Sequence, residues 1–127
     1  MTFTVKTGPP YDTPVTPRPK GTIRETDTHT SGTAPNFTEI VSYTPTSGKT
    51  FALAKILVTF SGTDEQEIRV KLDTEVIANY HATSYVMDWF PPGTELEGDG
   101  IKAVVIESSA SAGMEASVTG FIVGEES

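Results

Sequence analysis

The chain contains no cysteine, which removes disulfides and thiolate metal sites from consideration. Histidine is nearly as scarce: His29 and His81 are the only two, and neither has the ligand spacing that zinc sites use. Gly-rich phosphate loops and dinucleotide fingerprints are missing. No apolar run approaches the ~20 residues that a bilayer-spanning helix requires. The opening MTFTVKTGPP has neither the basic nor the apolar region of a secretion signal, so synthesis in a cytoplasm is the expectation. Basic residues are in deficit, with 9 Lys+Arg against 17 Asp+Glu and a formal net charge of −8. Such a surface is expected to bind neither nucleic acid nor an anionic membrane, because both need basic patches. No window carries a capped 3.6-residue period, so no helix is expected.

What remains is a β protein. At 127 residues, with 36% hydrophobic and 20% charged residues, the chain suits one globular domain. Its 20 threonines supply a β-branched residue suited to half-exposed strands. From Phe37 onward, short alternating segments are separated by turn residues. FTEIVSYT is stopped by TPTSGK. TFALAKILVTF follows, with Ala52, Ala54, Ile56, Val58 and Phe60 expected on one face. EIRVKLD alternates Ile68, Val70 and Leu72 inward with Arg69 and Lys71 outward. Asp73-Thr74 reverses the chain into EVIANYH, and SYVMDWF, IKAVVIES and MEASVTGFIVGE complete the set, with Gly120 a candidate bulge. Asp99-Gly100 reads as a type I′ turn. The expected core is Ile56, Val58, Phe60, Ile68, Val70, Leu72, Val104, Ile106, Val118 and Ile122. Seven or eight such strands specify an all-β, antiparallel β-sandwich, with a jelly roll preferred over an immunoglobulin-like sandwich or a small barrel.

The prolines are uneven. Seven of nine lie before residue 46, and Pro91-Pro92 are the other two. Proline fixes φ and lacks a donor, so the early ones cannot build a helix or a central strand. Residues 1–35 are therefore expected to be an extended arm, and 36–127 the sandwich. Phe3, Val5, Tyr11, Val15 and Ile23 are too apolar for a purely solvated tail. Pro14, Pro17 and Pro19 keep the chain extended, and Arg18, Lys20 and Arg24 place positive charge on an acidic protein. These residues are the candidate partner-binding set.

Catalytic chemistry is not legible. His81, Ser84 and Asp88 have triad residue types, but on a strand and its turn they point apart, and a polar strand edge is the ordinary explanation. The acidic runs Asp64, Glu65, Glu67 and Glu95, Glu97, Asp99 lack calcium-loop spacing. The sequon Asn36-Phe37-Thr38 carries little weight without a secretion signal. No enzyme activity, cofactor or metal is expected. Tyr85, Trp89 and Phe90, with Tyr80 nearby and the rigid Pro91-Pro92-Gly93 turn behind them, either plug the core or form an aromatic surface for a sugar or a protein.

At YTPTSGKTFALAKILVTF, VKLDTEVIANY, DWFPPGTELEGDGIKAVVIES and ASVTGFIVGEE the chain resembles small virion proteins of tailed bacteriophages, of the head decoration (cement) type. The likeness is one of layout and covers roughly residues 37–126. It implies a β-sandwich or jelly roll on the virion surface, binding the major capsid protein and neighbouring copies of itself, commonly as trimers or dimers, with a homotrimer expected. Sequence leaves two other readings open: a carbohydrate- or receptor-binding sandwich, and a tail or baseplate component.

Overall fold

The computed structural model describes residues 21–33, 35–61, 65–110 and 116–127. Within them the chain is strand and turn without helix, in ten strands. These are β1 (Gly21–Thr30), β2 (Gly32–Thr33), β3 (Thr38–Tyr43), β4 (Thr50–Phe60), β5 (Gln66–Leu72), β6 (Glu75–Ala82), β7 (Tyr85–Trp89), β8 (Glu95–Glu97), β9 (Val104–Ala110) and β10 (Ser117–Glu126).

They form two five-stranded sheets. The first runs β1-β10-β4-β7, with β8 beside β7 on the same edge of β4; the second runs β2-β9-β5-β6, with β3 continuing the edge that β2 begins. Every pairing is antiparallel except the two-residue contact of β2 with β9. Setting aside the two-residue parallel β2 and taking β7 with β8 as one interrupted strand leaves eight. The first then pairs with the last, the second with the seventh, the third with the sixth and the fourth with the fifth. This nesting is a long two-stranded ribbon wrapped into two layers, the jelly roll. It separates the fold from an immunoglobulin-like sandwich and from a closed barrel.

The inner faces meet in one core of Ile40, Val41, Phe51, Leu53, Ile56, Val58, Ile68, Val70, Val104, Ile106, Val118 and Ile122. Eight of the ten expected core residues are buried; Phe60 and Leu72 are partly buried and pack against the rest. β4 departs from strict alternation. Val123 pairs with Lys55 but Gly124 pairs with Leu53, so Ala54 is an extra residue in the ladder. That bulge reverses the strand's facing at its midpoint. Phe51 and Leu53 are therefore buried where alternation put Ala52 and Ala54, which are only partly buried.

Gly120 is not a bulge. It pairs in register with Asp27 and Val58. Its role is spatial, since a Cβ there would come within 2.8 Å of Val41 Cγ1. At the β5–β6 turn Asp73 takes φ 61°, a left-handed conformation that aspartate tolerates better than most residues. Asp99-Gly100 is a connection between the two sheets and not a type I′ hairpin, because only Gly100 has positive φ (83°).

The sandwich also begins earlier than proline density suggests. All ten residues of β1 pair with β10, from Gly21 opposite Glu126 to Thr30 opposite Ser117. Ile23 packs against the core. Ser31, fully buried, donates its N–H to the Ala116 carbonyl and accepts the Ala116 N–H on its hydroxyl as the chain passes between the sheets. Residues 21–33 thus belong to the sandwich and not to an arm ending at 35.

Candidate functional site

Cross-strand register determines what each sheet shows to solvent. In the first sheet the inward positions of β10, β4 and β7 carry the core, so alternate residues face out. Across the strands these outward residues line up as Trp89, Lys55, Val123 and Arg24, then Met87, Leu57, Phe121 and Thr26, then Tyr85, Thr59, Thr119 and Thr28. The centre of this outer face is apolar. Trp89 is 65% exposed, Tyr85 60% and Met87 52%, while Leu57, Phe121 and Val123 are half-buried beside them. Lys55 lies over the Trp89 ring, its Nζ 4.8 Å from the centroid, a cation–π contact that covers part of the indole. Thr28 and Thr119 hydroxyls meet at 2.9 Å on the same face.

One end of the face is acidic. Glu95, Ala52, Glu125 and Thr22 form the next row, and small Ala52 leaves a groove between the two carboxylates. The groove, of roughly 280 Å³, is walled by Ala52, Ala54, Pro91, Pro92, Glu95 and Glu125 among others. It exists because the β4 bulge and the rigid Pro91-Pro92-Gly93 turn diverge there; Gly93 has φ 94°.

The outer face of the second sheet is different in kind. Glu107 on β9 accepts from Arg69 Nη2 at 2.7 Å and from Lys71 Nζ at 2.9 Å. Arg69 also stacks on Phe37, 3.7 Å from the ring centroid. Burial pushes the Glu107 carboxyl up, but hydrogen bonds and charge from Lys71 and Arg69 outweigh it and hold the group below its ordinary range. Asn79 donates to Glu67 nearby at 3.0 Å. That face is mainly polar and ion-paired, with Val76 on β6 exposed beside Lys71.

The expected site residues separate accordingly. Tyr85 and Trp89 do form an aromatic surface; Phe90 does not join them, because it packs on the core. Tyr80 is also directed to the core, where its hydroxyl donates to Asp88, and burial followed by that bond raises its pKa. Asp88 is thereby engaged away from His81, which instead lies 3.6–3.7 Å from Glu67 and Glu65, so no triad assembles. Asp99 accepts the backbone N–H groups of Lys102 and Ile101, and these bonds lower its pKa. Among the described residues no group of three His, Asp or Glu is placed to hold a metal ion. Arg24 is exposed on the outer face of the first sheet, whereas Ile23 faces inward. Phe3, Val5, Tyr11, Pro14, Val15, Pro17, Arg18 and Lys20 lie outside the described residues, as does Asp64. Met87, Leu57, Phe121 and Val123 were not legible as surface residues in the sequence. They are far apart along the chain, and only the pairing of β7, β4 and β10 brings them together.

No protein-family model matches the chain, and no curated protein matches it. Among solved structures it is similar to a chain in the cryo-EM structure of the virus-like particle of giant freshwater prawn (Macrobrachium rosenbergii) extra small virus. The identity is 14% and the TM-score 0.44, over 92% of this chain and 87% of that one.

Proposed function

We propose that the chain is a non-enzymatic structural subunit of a virus particle, of the capsid decoration (cement) type. It acts by packing its apolar outer face against other protein in the particle. The observation that carries this reading is the contrast between the two outer faces. One is mainly polar and ion-paired; the other presents Trp89, Tyr85 and Met87 more than half exposed. Apolar surface of that kind marks an interaction site on a small soluble domain. Burying those three side chains removes about 300 Å² from water, or about 7 kcal/mol gross at ~25 cal/mol/Å². That is the size of contribution needed to offset the rotational and translational cost of association.

The resemblance to tailed-phage decoration proteins supplies the finer assignment: a partner in the major capsid protein, neighbouring copies as a trimer, and a virion location after synthesis in the host cytoplasm. The proline-rich residues before Gly21, with Arg18 and Lys20, are the second attachment element. The test is co-sedimentation of the purified protein with capsids that lack it. Binding that Met87→Glu abolishes is the expected result; no binding to any capsid preparation, with selective binding on a glycan array, overturns it. That second outcome belongs to a carbohydrate-binding reading, which exposed Tyr85 and Trp89 would also serve.

A further inference from the structure

Among the described residues the most exposed large apolar side chain is Ile101, at 84%, on the connection between β8 and β9. That connection is tied down at several points. Asp99 Oδ1 accepts the N–H groups of Ile101 and Lys102, both at 2.8 Å. Gly98 donates to the Lys49 carbonyl at 2.7 Å and accepts from the Gly48 N–H at 3.1 Å, and the Ala103 carbonyl accepts from Asp73 at 2.8 Å. Anchored on both sides, Ile101 stands in solvent as a fixed apolar knob with the exposed Lys102 beside it. The groove on the first sheet is its complement. Ala52 and Ala54 form the floor, Pro91 and Pro92 a rigid wall, and the exposed Glu95 stands at the rim. We infer that the Ile101 knob of one copy seats in this groove of a second copy, with Lys102 meeting Glu95 at the rim.

Charge, shape and reach select this occupant. Lys102 is a cation on a chain of net charge −8, and its meeting with the Glu95 carboxylate fixes the register of the contact. The groove, of roughly 280 Å³, has room for a branched aliphatic side chain together with the apolar stem of a lysine. Both halves are preformed. The Pro91-Pro92-Gly93 turn shapes the groove and the bonds to Asp99 hold the knob, so docking orders little that is not already ordered. The chain's own knob does not reach its own groove. β8 pairs with the Thr50–Ala52 end of β4, and the connection after it runs past that end to the second sheet, where Val104 pairs with Tyr43 and Leu72. Ala54 lies four residues back along β4 from Thr50, about 13 Å at ~3.3 Å per residue. Knob and groove are thus different surfaces of one molecule, and the contact is heterologous: every copy gives a knob and receives one. Repetition closes into a ring when the rotation between copies allows it and otherwise extends as a chain. The contact uses none of Trp89, Tyr85 and Met87, so a copy seated on its neighbour still presents its aromatic centre. The inference deepens the proposed function by naming the surface through which neighbouring copies meet. It rests on that reading for the particle in which they meet, while the contact itself stands on knob and groove.

Sedimentation velocity of the full chain from about 1 to 100 µM reads the contact, and the native chain should assemble as concentration rises. Ile101→Asp should weaken assembly at least about tenfold, by removing the aliphatic side chain and bringing a second carboxylate to Glu95. Because Ile101 is exposed, the melting temperature of that variant should not change. Lys102→Glu and Glu95→Lys should each weaken assembly about three- to tenfold, and the two exchanges in one chain should restore it. Because the chain has no cysteine, Ile101→Cys with Ala54→Cys in one chain gives a covalent readout. Oxidation should join chains to one another; a disulfide closed within a monomer would overturn the inference. A native chain that stays monomeric to about 100 µM would overturn it too. So would assembly that Ile101→Asp leaves unchanged, or a charge exchange that restores nothing. Assembly lost in Met87→Glu but kept in Ile101→Asp would assign the contact between copies to the aromatic face instead. Assembly that depends on Ile101, in a chain that binds no capsid, would fail the proposed function and leave this inference standing. Capsid binding by a chain that never self-associates would do the reverse.

Discussion

Replacing Gly124 by alanine tests whether close approach at the β4 bulge determines how the sandwich closes. An added Cβ at Gly124 would lie 2.3 Å from the Ala52 carbonyl oxygen and 2.4 Å from Phe51 Cζ. Neither neighbour can retreat cheaply. The carbonyl belongs to the backbone beside the bulge, and the Phe51 ring is wholly buried with Tyr43 stacked obliquely on it at 5.1 Å. Overpacking of a core commonly costs 1–3 kcal/mol, and contact with backbone puts this site at the upper end, about 3 kcal/mol. For a domain of this size that is a fall of roughly 10–15 °C in melting temperature. The matched control is Gly48→Ala. Gly48 has φ 84° and nothing within 4 Å of the added atom, so its cost is conformational alone, about 1–2 kcal/mol. Urea denaturation of the two variants, with unchanged m-values, measures the difference. A Gly124→Ala chain within about 0.5 kcal/mol of the native one, or less affected than Gly48→Ala, would refute the packing argument.

Glu107→Gln should cost about 1–3 kcal/mol at neutral pH, because it breaks charged hydrogen bonds from Arg69 and Lys71. The native group is held below its ordinary value of 4.5, so its contribution is present above that value and is lost as pH falls through the lower folded-state pKa. Melting curves of the two chains should therefore converge only in acid, and a constant difference down to strongly acidic pH would contradict the assignment. Tyr80→Phe leaves Asp88 Oδ2 without its side-chain donor, Oδ1 keeping the Trp89 N–H, and should destabilise by about 1–2 kcal/mol; in the native chain two tyrosines, Tyr43 and Tyr80, should resist titration well above pH 10, and ultraviolet difference spectra of the variant should show one fewer. Gln66→Met should be neutral or stabilising by up to about 1 kcal/mol, since both amide atoms are buried without a hydrogen-bond partner among the described residues. A clear loss of stability in that variant would show that the amide has a partner. Chelator should leave the melting temperature unchanged, and a large drop would show that the acidic turns hold a cation.

The sequence was most legible where one physical rule acted alone. In β5 the period-2 pattern and the Asp73 turn were enough to place the strand and its facing, whereas the extra residue Ile77, which shifts the register of β6 against β5, had no signal in the sequence. In β4 two rules competed: eleven residues apolar on nearly both sides fit any parity, and the bulge at Ala54 that decides it has no signal of its own in the side chains. β1 fell within the arm because the prolines before it are dense; Gly21–Thr30 was legible as a polar strand suited to a sheet edge, and its Thr22, Arg24, Thr26 and Thr28 do lie on the outer side of an edge strand. The candidate site was half visible. Tyr85 and Trp89 alternate on one strand and could be singled out, whereas Leu57, Phe121 and Val123 resemble core residues until the register places them on the outer face.

The wrapped ribbon also orders the molecule in time. Its fourth and fifth strands, β5 and β6, are joined by two residues, so their contact closes almost no loop. Each pairing further out encloses more chain, until Gly21 meets Glu126 around nearly the whole sandwich. Loop-closure entropy rises with enclosed length, so β1 is the strand whose docking waits on all the others. It is also held by a single neighbour in its sheet, β10, along one side. The last strand to arrive is thus the first to open, and its amides should exchange with solvent through local fraying while those of β4, β5 and β9 wait for global unfolding. Because β1 carries the proline-rich stretch directly before it, that end of the sandwich can peel away on a partner while the core remains folded.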